Sequence, residues 1–551
     1  MNTFSAKSVY SKMSISRILP MLGFALVLGF SLPAQAQNNN YTGATGSSWG
    51  TGSNWSQGSV PTSSQDVFSA NGTEVRIQST TAAVAGNLTI GGASGASIVA
   101  LRNDTSNSLT VGGNITLAPG AGTGQLSLGT GTGFTSTLTI GGGAGSIIDG
   151  GGAGAATIAI FGHMGTLGLS SATVDNLFLT QNSSGSLTIG SGQTYTVTTT
   201  RVGSATANVT GALTVNGTLV STTINPGYAA VSGANDATFT LNTGGLLQAT
   251  ALRRTGSQNT TFNWNGGTIQ NKSGGNLTVD ASSGTLTIGL AGTGTHTFEA
   301  DSGRTITVAA TAQLQDKTGE AGTLNKAGGG TLLLQGANTY SGATTISGGK
   351  LMLSTSGAIA SSSLLSVASG ATLDVAAVAG GFRIGANQTL LGSGTVIGNT
   401  TIEGSLKPGN SPGLLTFNND LTLAGASSTV MEFLGAGVRG TDYDAVNVGG
   451  LLTYDGSLTL DFGATLAQGD YNFNLFDFTN QSGFYDNISL IGAYSGSFTQ
   501  NGTDWELSSG NETWNFSQST GELSLNVIPE PSSLSLLLLG TVVWLRQRRR
   551  A

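Results

Sequence analysis

Chemistry in this 551-residue chain would have to come from few side chains, because the sequence has no cysteine, two histidines and only 9% charged residues. The lack of cysteine removes thiolate nucleophiles, thiolate metal ligands and disulfides together. His163 and His296 each stand alone in Gly- and Thr-rich stretches, with no nucleophile or orienting acid beside them, and both read as surface residues. Asp442 and Asp444 are among the nearest acid pairs. Two carboxylates at that spacing suit either a cation or proton-sharing pair or a turn flanking a strand, and the turn is the reading taken. Arg253-Arg254 are adjacent in sequence, which sends the two side chains to opposite faces of a strand. Gly142-Gly143-Ala144-Gly145-Ser146 opens like a calcium-binding nonapeptide but carries Ile147 where aspartate is required, and Gly151-Gly152-Ala153-Gly154 meets Ala156 at the same place. The glycine runs lack the Lys-Ser/Thr and following helix of a phosphate loop. No catalytic residue, metal ligand or cofactor site is therefore assigned.

What the chain has in quantity is glycine, 87 residues of it, with 38% hydrophobic residues spaced singly among Thr, Ser and Asn. One compact core stops growing at roughly 250–300 residues, whereas stacked repeats bury their apolar faces only against neighbours and escape that limit. A short phrase keeps returning: Leu88-Thr89-Ile90-Gly91, Leu109-Thr110-Val111-Gly112, Leu138-Thr139-Ile140-Gly141, Leu187-Thr188-Ile189-Gly190, Leu213-Thr214-Val215, Leu277-Thr278-Val279 and Leu286-Thr287-Ile288-Gly289. Each alternates apolar and hydroxyl residues with the period of two that marks a half-buried strand. The Gly, Asn or Ser that follows tolerates the backbone of a sharp corner.

Sandwiches, barrels and solenoids all use such strands. Recurrence over hundreds of positions at roughly 20–50 residues, hydroxyl and amide residues placed to stack as polar ladders, and evenly spread glycine favour a solenoid. The expected fold is all-β, a right-handed parallel β-helix with atypical capping ends, flanked by an N-terminal signal and a C-terminal apolar helix. Coils of ~20 residues at the ~4.8 Å strand spacing would give ~20 coils and a rod on the order of 100 Å. Trp49, Trp55, Pro61, Asp66 and Phe68 are expected to begin one cap, and the aromatic-dense stretch from Asp461 to Val527 to form the other.

The ends read as addresses. Lys7, Lys12 and Arg17 precede the apolar run Ile18 to Phe30 and then Pro33-Ala34-Gln35-Ala36. That is a charged n-region, an h-region and an A-x-A site for signal peptidase, marked by Ala34 and Ala36. At the other end come Pro529-Glu530-Pro531, an apolar stretch from Leu534 to Leu545, and Arg546-Gln547-Arg548-Arg549-Arg550. This order resembles the PEP-CTERM sorting signal over the last two dozen residues. The resemblance implies transient anchoring in the inner membrane, processing by an exosortase-type enzyme and delivery to the cell surface or extracellular matrix. Removal of both ends would leave 13 basic residues against 26 or 27 acidic ones, a net charge of −13 to −14. A body so acidic lacks the clustered Lys and Arg of a nucleic-acid binder and would not adhere to anionic lipid.

One internal segment is more distinctive. Gly322-Thr323-Leu324-Asn325-Lys326-Ala327-Gly328-Gly329-Gly330-Thr331-Leu332-Leu333-Leu334, continued by Gly336-Ala337-Asn338-Thr339-Tyr340-Ser341-Gly342-Ala343-Thr344-Thr345-Ile346-Ser347-Gly348-Gly349-Lys350-Leu351, resembles the autotransporter-associated β-strand repeat of secreted passenger domains. The resemblance implies a parallel β-helix in which Leu332, Leu334, Tyr340, Ile346 and Leu351 fill the core while Asn338 and the glycines shape corners, with no catalytic role for any of them. Leu406-Lys407-Pro408-Gly409-Asn410-Ser411-Pro412-Gly413 and Gly440-Thr441-Asp442-Tyr443-Asp444 resemble the closing portion of such domains. No outer-membrane barrel is expected after Val527, where the sorting tail takes its place.

The chain thus divides into a signal (1–36), a Gly/Thr-rich solenoid (37–320), the repeat (321–354), further solenoid (355–460), an aromatic cap (461–527) and the tail (528–551). The expected function is non-catalytic: an exported structural or adhesive rod whose partners are signal peptidase, an exosortase-type enzyme and extracellular polysaccharide or other surface polymers. The alternative is a polysaccharide-binding or polysaccharide-cleaving β-helix, for which cleavage would need clustered carboxylates with a base or calcium ligands on one face.

Overall fold

Alternation converts directly into strands. In Gly185–Ile189 the side chains of Leu187 and Ile189 point inward and are buried, while Thr188 points out. Strands of this kind pair in parallel, coil over coil, so that Leu187, Leu213, Phe239, Phe262, Ile288 and Leu314 stack in register along the interior. The computed structural model describes residues 37–528, apart from 71, 79–81, 103–106, 130–135, 162, 164, 180–183, 204–208, 229–235 and 258. Ala34, Ala36, Pro529, Glu530, Pro531, Arg546, Arg548, Arg549 and Arg550 lie outside the described residues.

The chain is an all-β parallel solenoid of about 16 turns. One face runs without interruption from Gln37–Asn40 to Asn487–Gly492, and a second from Ser47–Ser48 to Phe476–Gly483. A third is built in segments, from Ala82–Ala85 to Ser136–Ile140, from Gly185–Ile189 to Ala312–Asp316, and from Phe382–Ile384 to Leu421–Leu423. The nine-residue strands Ser171–Leu179, Thr194–Val202, Thr218–Pro226 and Leu246–Arg254 bend round a corner and serve the first two faces at once. Coil length varies from 16 residues, Leu390 to Leu406, to 32, Ile115 to Ile147. The turns are accordingly fewer than an even 20-residue coil would give.

A single apolar core extends from Tyr41 to Leu525. Each inward Leu, Ile or Val is worth about 1.5–3 kcal/mol over its exposed state, and it contributes through the coils directly above and below. Corner amides add a polar stack on the outside: Asn242 Nδ2 donates to Asn216 Oδ1 at 2.7 Å and Asn265 Nδ2 to Asn242 Oδ1 at 2.9 Å.

Both ends of the core are closed by aromatic residues, as a solenoid terminus requires. At the N-terminal end Trp49 and Trp55 are buried edge to face, 4.8 Å between centroids, and Trp55 Nε1 donates to the Trp49 carbonyl at 2.8 Å. At the other end an antiparallel sheet of five strands, formed by Gly469–Asn474, Thr499–Asn501, Asp504–Ser509, Glu512–Ser517 and Glu522–Val527, folds over the last coils. There Phe462 stacks on Phe433 at 4.0 Å and meets Trp514 edge-on at 5.1 Å. Among the described residues no helix is long and apolar enough to cross a membrane; the segment Leu534 to Leu545 lies outside them.

Candidate functional site

The repeat that stood out in sequence occupies the strands Leu324–Ala327, Thr331–Leu334, Thr344–Ile346 and Lys350–Leu353. Leu332, Leu334, Tyr340, Ile346 and Leu351 are all buried, as their alternation requires. Asn338 is buried at a corner where it replaces missing backbone pairing. Its Oδ1 accepts from Leu314 N at 3.0 Å, and its Nδ2 donates to the carbonyls of Gly336 at 3.1 Å and Ala358 at 3.3 Å. Gly330 packs so tightly that a Cβ there would lie 2.2 Å from the Asp301 carbonyl oxygen.

Lys326 is the unexpected member. It is fully buried and takes an inward position in the ladder, with Phe298 one coil before it and Ile346 one coil after. Its four-carbon stem continues the apolar stack. The ammonium turns into the corner, where it donates to the carbonyls of Ala327 at 2.7 Å, Gly328 at 2.9 Å and Gly348 at 3.1 Å. An ammonium has three donors and no acceptor, so three carbonyls satisfy it. Burial lowers the Lys326 pKa to about 8, partly offset by the field of Glu299, which leaves the ammonium the main form at neutral pH. The signal was present in sequence: Leu324 and Lys326 share the inward phase of the period-two pattern.

The two histidines are not surface residues. His296 is fully buried and His163 nearly so, because each falls on the inward phase or under a corner. His296 shares the phase of Phe298 in His296–Glu299. Its Nδ1 donates to the Thr323 carbonyl at 2.8 Å, and its ring meets Trp264 edge-on at 5.4 Å. His163 Nδ1 lies 2.9 Å from the Ser136 carbonyl. Burial pushes the pKa of both below the usual histidine value, so both are neutral core residues that brace successive coils.

Asp442 and Asp444 act on backbone. Asp442 Oδ2 accepts from Val438 N at 2.6 Å within its own turn. Asp444 is buried, and its two oxygens accept from Gly413 N at 2.7 Å and Glu432 N at 2.9 Å, tying the Pro408–Gly413 corner to the neighbouring coil. Burial raises its pKa to about 7 against those two bonds. Arg253 is exposed and grips Asp280 on the next coil through two bonds of 2.6 Å, while Arg254 turns away and donates to the Thr285 carbonyl at 3.0 Å. Among the described residues no group of three or more His, Cys, Asp or Glu is placed to hold a metal ion. A surface concavity of about 460 Å³ is lined by Thr243, Leu246, Thr268, Gln270, Thr297 and Glu299, and a single carboxylate faces it.

Residues 324–353 match the family described as the passenger-associated-transport-repeat. A comparison with curated proteins found no match. The matched segment is the one whose buried leucines, corner asparagine and tight glycines form one unit of the continuous coil stack. Such repeats mark surface or exported proteins. The solenoid thus carries, over residues 324–353, a segment similar to the passenger-associated-transport-repeat.

Proposed function

We propose that this protein is a non-catalytic rod of the cell surface or extracellular matrix, structural or adhesive, exported by its N-terminal signal and sorted through its C-terminal tail. The observation that carries this reading is the uninterrupted ladder from Gln37–Asn40 to Asn487–Gly492, closed by aromatic residues at both ends, with its buried charged groups Asp444 and Lys326 committed to backbone. Asp444 and Lys326 spend their charged atoms on main-chain partners, and His163 and His296 each bind a main-chain carbonyl through Nδ1. Such a body is built to keep a long shape.

In this reading signal peptidase cuts after Ala36, the tail holds the chain in the inner membrane for a time, and an exosortase-type enzyme cuts near Pro529-Glu530-Pro531. Fractionation of cells expressing the full chain and a chain lacking residues 528–551 tests it. The full chain is expected at the surface or in the matrix, shortened at its C-terminus, and the truncated chain is expected to miss that destination. Full-length protein persisting in the inner membrane would sink the sorting route.

A further inference from the structure

Arg201 is the single Asp, Glu, Lys or Arg between residues 176 and 235. It projects outward from Thr194–Val202 and is partly exposed. Directly before it in the ladder stands Phe178, and Tyr228 follows the strand one coil later. The guanidinium carbon lies 4.9 Å from the Phe178 ring centroid and 4.3 Å from that of Tyr228. Tyr228, 40% exposed, is held at its backbone by N–H donation to the Val202 carbonyl at 3.4 Å. Among the described residues the Arg201 guanidinium makes no hydrogen bond or ion pair. Four other arginines of the rod are paired with acids: Arg253 with Asp280, Arg383 with Glu403, and Arg76 and Arg102 with Glu74.

A guanidinium packed against aromatic faces keeps its N–H groups in its own plane, directed edgewise. That fork matches a carboxylate, which accepts from it through two parallel bonds. Two residues back along the strand runs a row of partly exposed Asn176, Thr199 and Thr223, one per coil, at the ~4.8 Å strand spacing. Hydroxyl and amide groups in such a row donate to and accept from sugar hydroxyls. The acidic character of the body does not cancel the attraction, because exposed charges beyond about 8 Å are screened at physiological ionic strength.

We infer that Phe178, Arg201 and Tyr228 form a contact site for the carboxylate of a uronate-containing polysaccharide. The site deepens the proposed function by naming the class of polymer that the rod meets. It rests on that reading only for where the encounter takes place, since binding is tested with purified protein and sorting with whole cells.

The test is affinity electrophoresis of the mature protein in gels containing polygalacturonate, neutral dextran or dextran sulfate. The wild type is expected to be retarded by polygalacturonate and not by dextran. Arg201→Gln should weaken the retardation tenfold or more. Arg201→Lys should lose several-fold, because a lysine keeps the charge but not the fork, and Tyr228→Ala should weaken it as well. Should R201Q fail to fold, Y228A, a change at an exposed position, carries the test. Equal retardation of wild type and R201Q (or of Y228A, where it replaces R201Q) would overturn the site. So would retardation by dextran sulfate alone, which signals bulk charge, or by none of the polymers.

Discussion

The ammonium of Lys326 lies 3.1 Å from the carbonyl oxygen of Gly348, one coil further along the rod, so a buried cation joins two turns of the matched repeat. Phe298 and Ile346 flank it in the inward stack, which makes the lysine stem part of the core and its charge part of the corner.

Replacing Lys326 with methionine keeps the stem but removes the ammonium from three corner carbonyls, of which Ala327 keeps the Ala300 N–H. A buried polar group left unmade costs about 1–3 kcal/mol, and the loss for K326M should fall at least in that range. Urea midpoints of the two proteins measure it. An unchanged midpoint would mean that the three carbonyls find other partners.

Asp444 should make the rod less stable as pH rises. Its folded pKa is about 7, against 3.8 for an unperturbed side chain. Between those values the folded state holds more protons than the unfolded state, so the contribution is full below pH 4 and is lost as pH passes through 7. The slope from one such group is at most about 1.4 kcal/mol per pH unit. Above about pH 6.5, where the histidines no longer contribute, urea midpoints of wild type should fall up to pH 8, and those of Asp444→Asn should fall less. Parallel profiles would remove Asp444 as the cause.

The histidines act with the opposite sign. Burial depresses the pKa of His163 and His296, so the unfolded chain takes up protons first as pH drops below about 6.5. Stability present above that value is lost as pH falls towards the folded pKa. His296→Leu should show a smaller loss between pH 6.5 and 5 than wild type, read by thermal melting at each pH. A loss of equal size in both proteins would assign the acid response to other groups.

Neighbouring glycines in the repeat should differ sharply. A Cβ at Gly330 would meet the Asp301 carbonyl oxygen at 2.2 Å and the Arg304 carbonyl oxygen at 2.4 Å, whereas at Gly329 its nearest contact is Ser302 at 3.4 Å. Gly330→Ala must push two coils apart and should cost several kcal/mol, among the large single-residue effects. Gly329→Ala should stay within about 1 kcal/mol of wild type, because restricting the unfolded chain offsets small losses. Similar melting temperatures for the two variants would contradict the close packing of coils at Gly330.

Most of the fold was legible because a solenoid is specified locally. Leu187-Thr188-Ile189 carries its own inward and outward assignment, and Leu332, Leu334, Tyr340, Ile346 and Leu351 fall into the core on the same rule. That rule was equally available for His296, in phase with Phe298, and for Lys326, in phase with Leu324. Residue type concealed it, since His and Lys ordinarily stay near water. Their burial is permitted by corner carbonyls contributed in part from other coils.

The sequence by itself determined the strand period, the parallel stacking of short repeats, the aromatic closure of both ends and the scarcity of side chains able to do chemistry. These follow from local alternation and composition, which need no long-range information. Only the tertiary structure decided which residues meet across coils. Asp444 reaches Gly413, Phe178 and Tyr228 bracket Arg201, and Lys326 finds Gly348, through coil lengths that vary from 16 to 32 residues. No fixed spacing in the chain encodes that register. It is set by the requirement that every inward apolar residue land on another, coil after coil, at a common strand spacing.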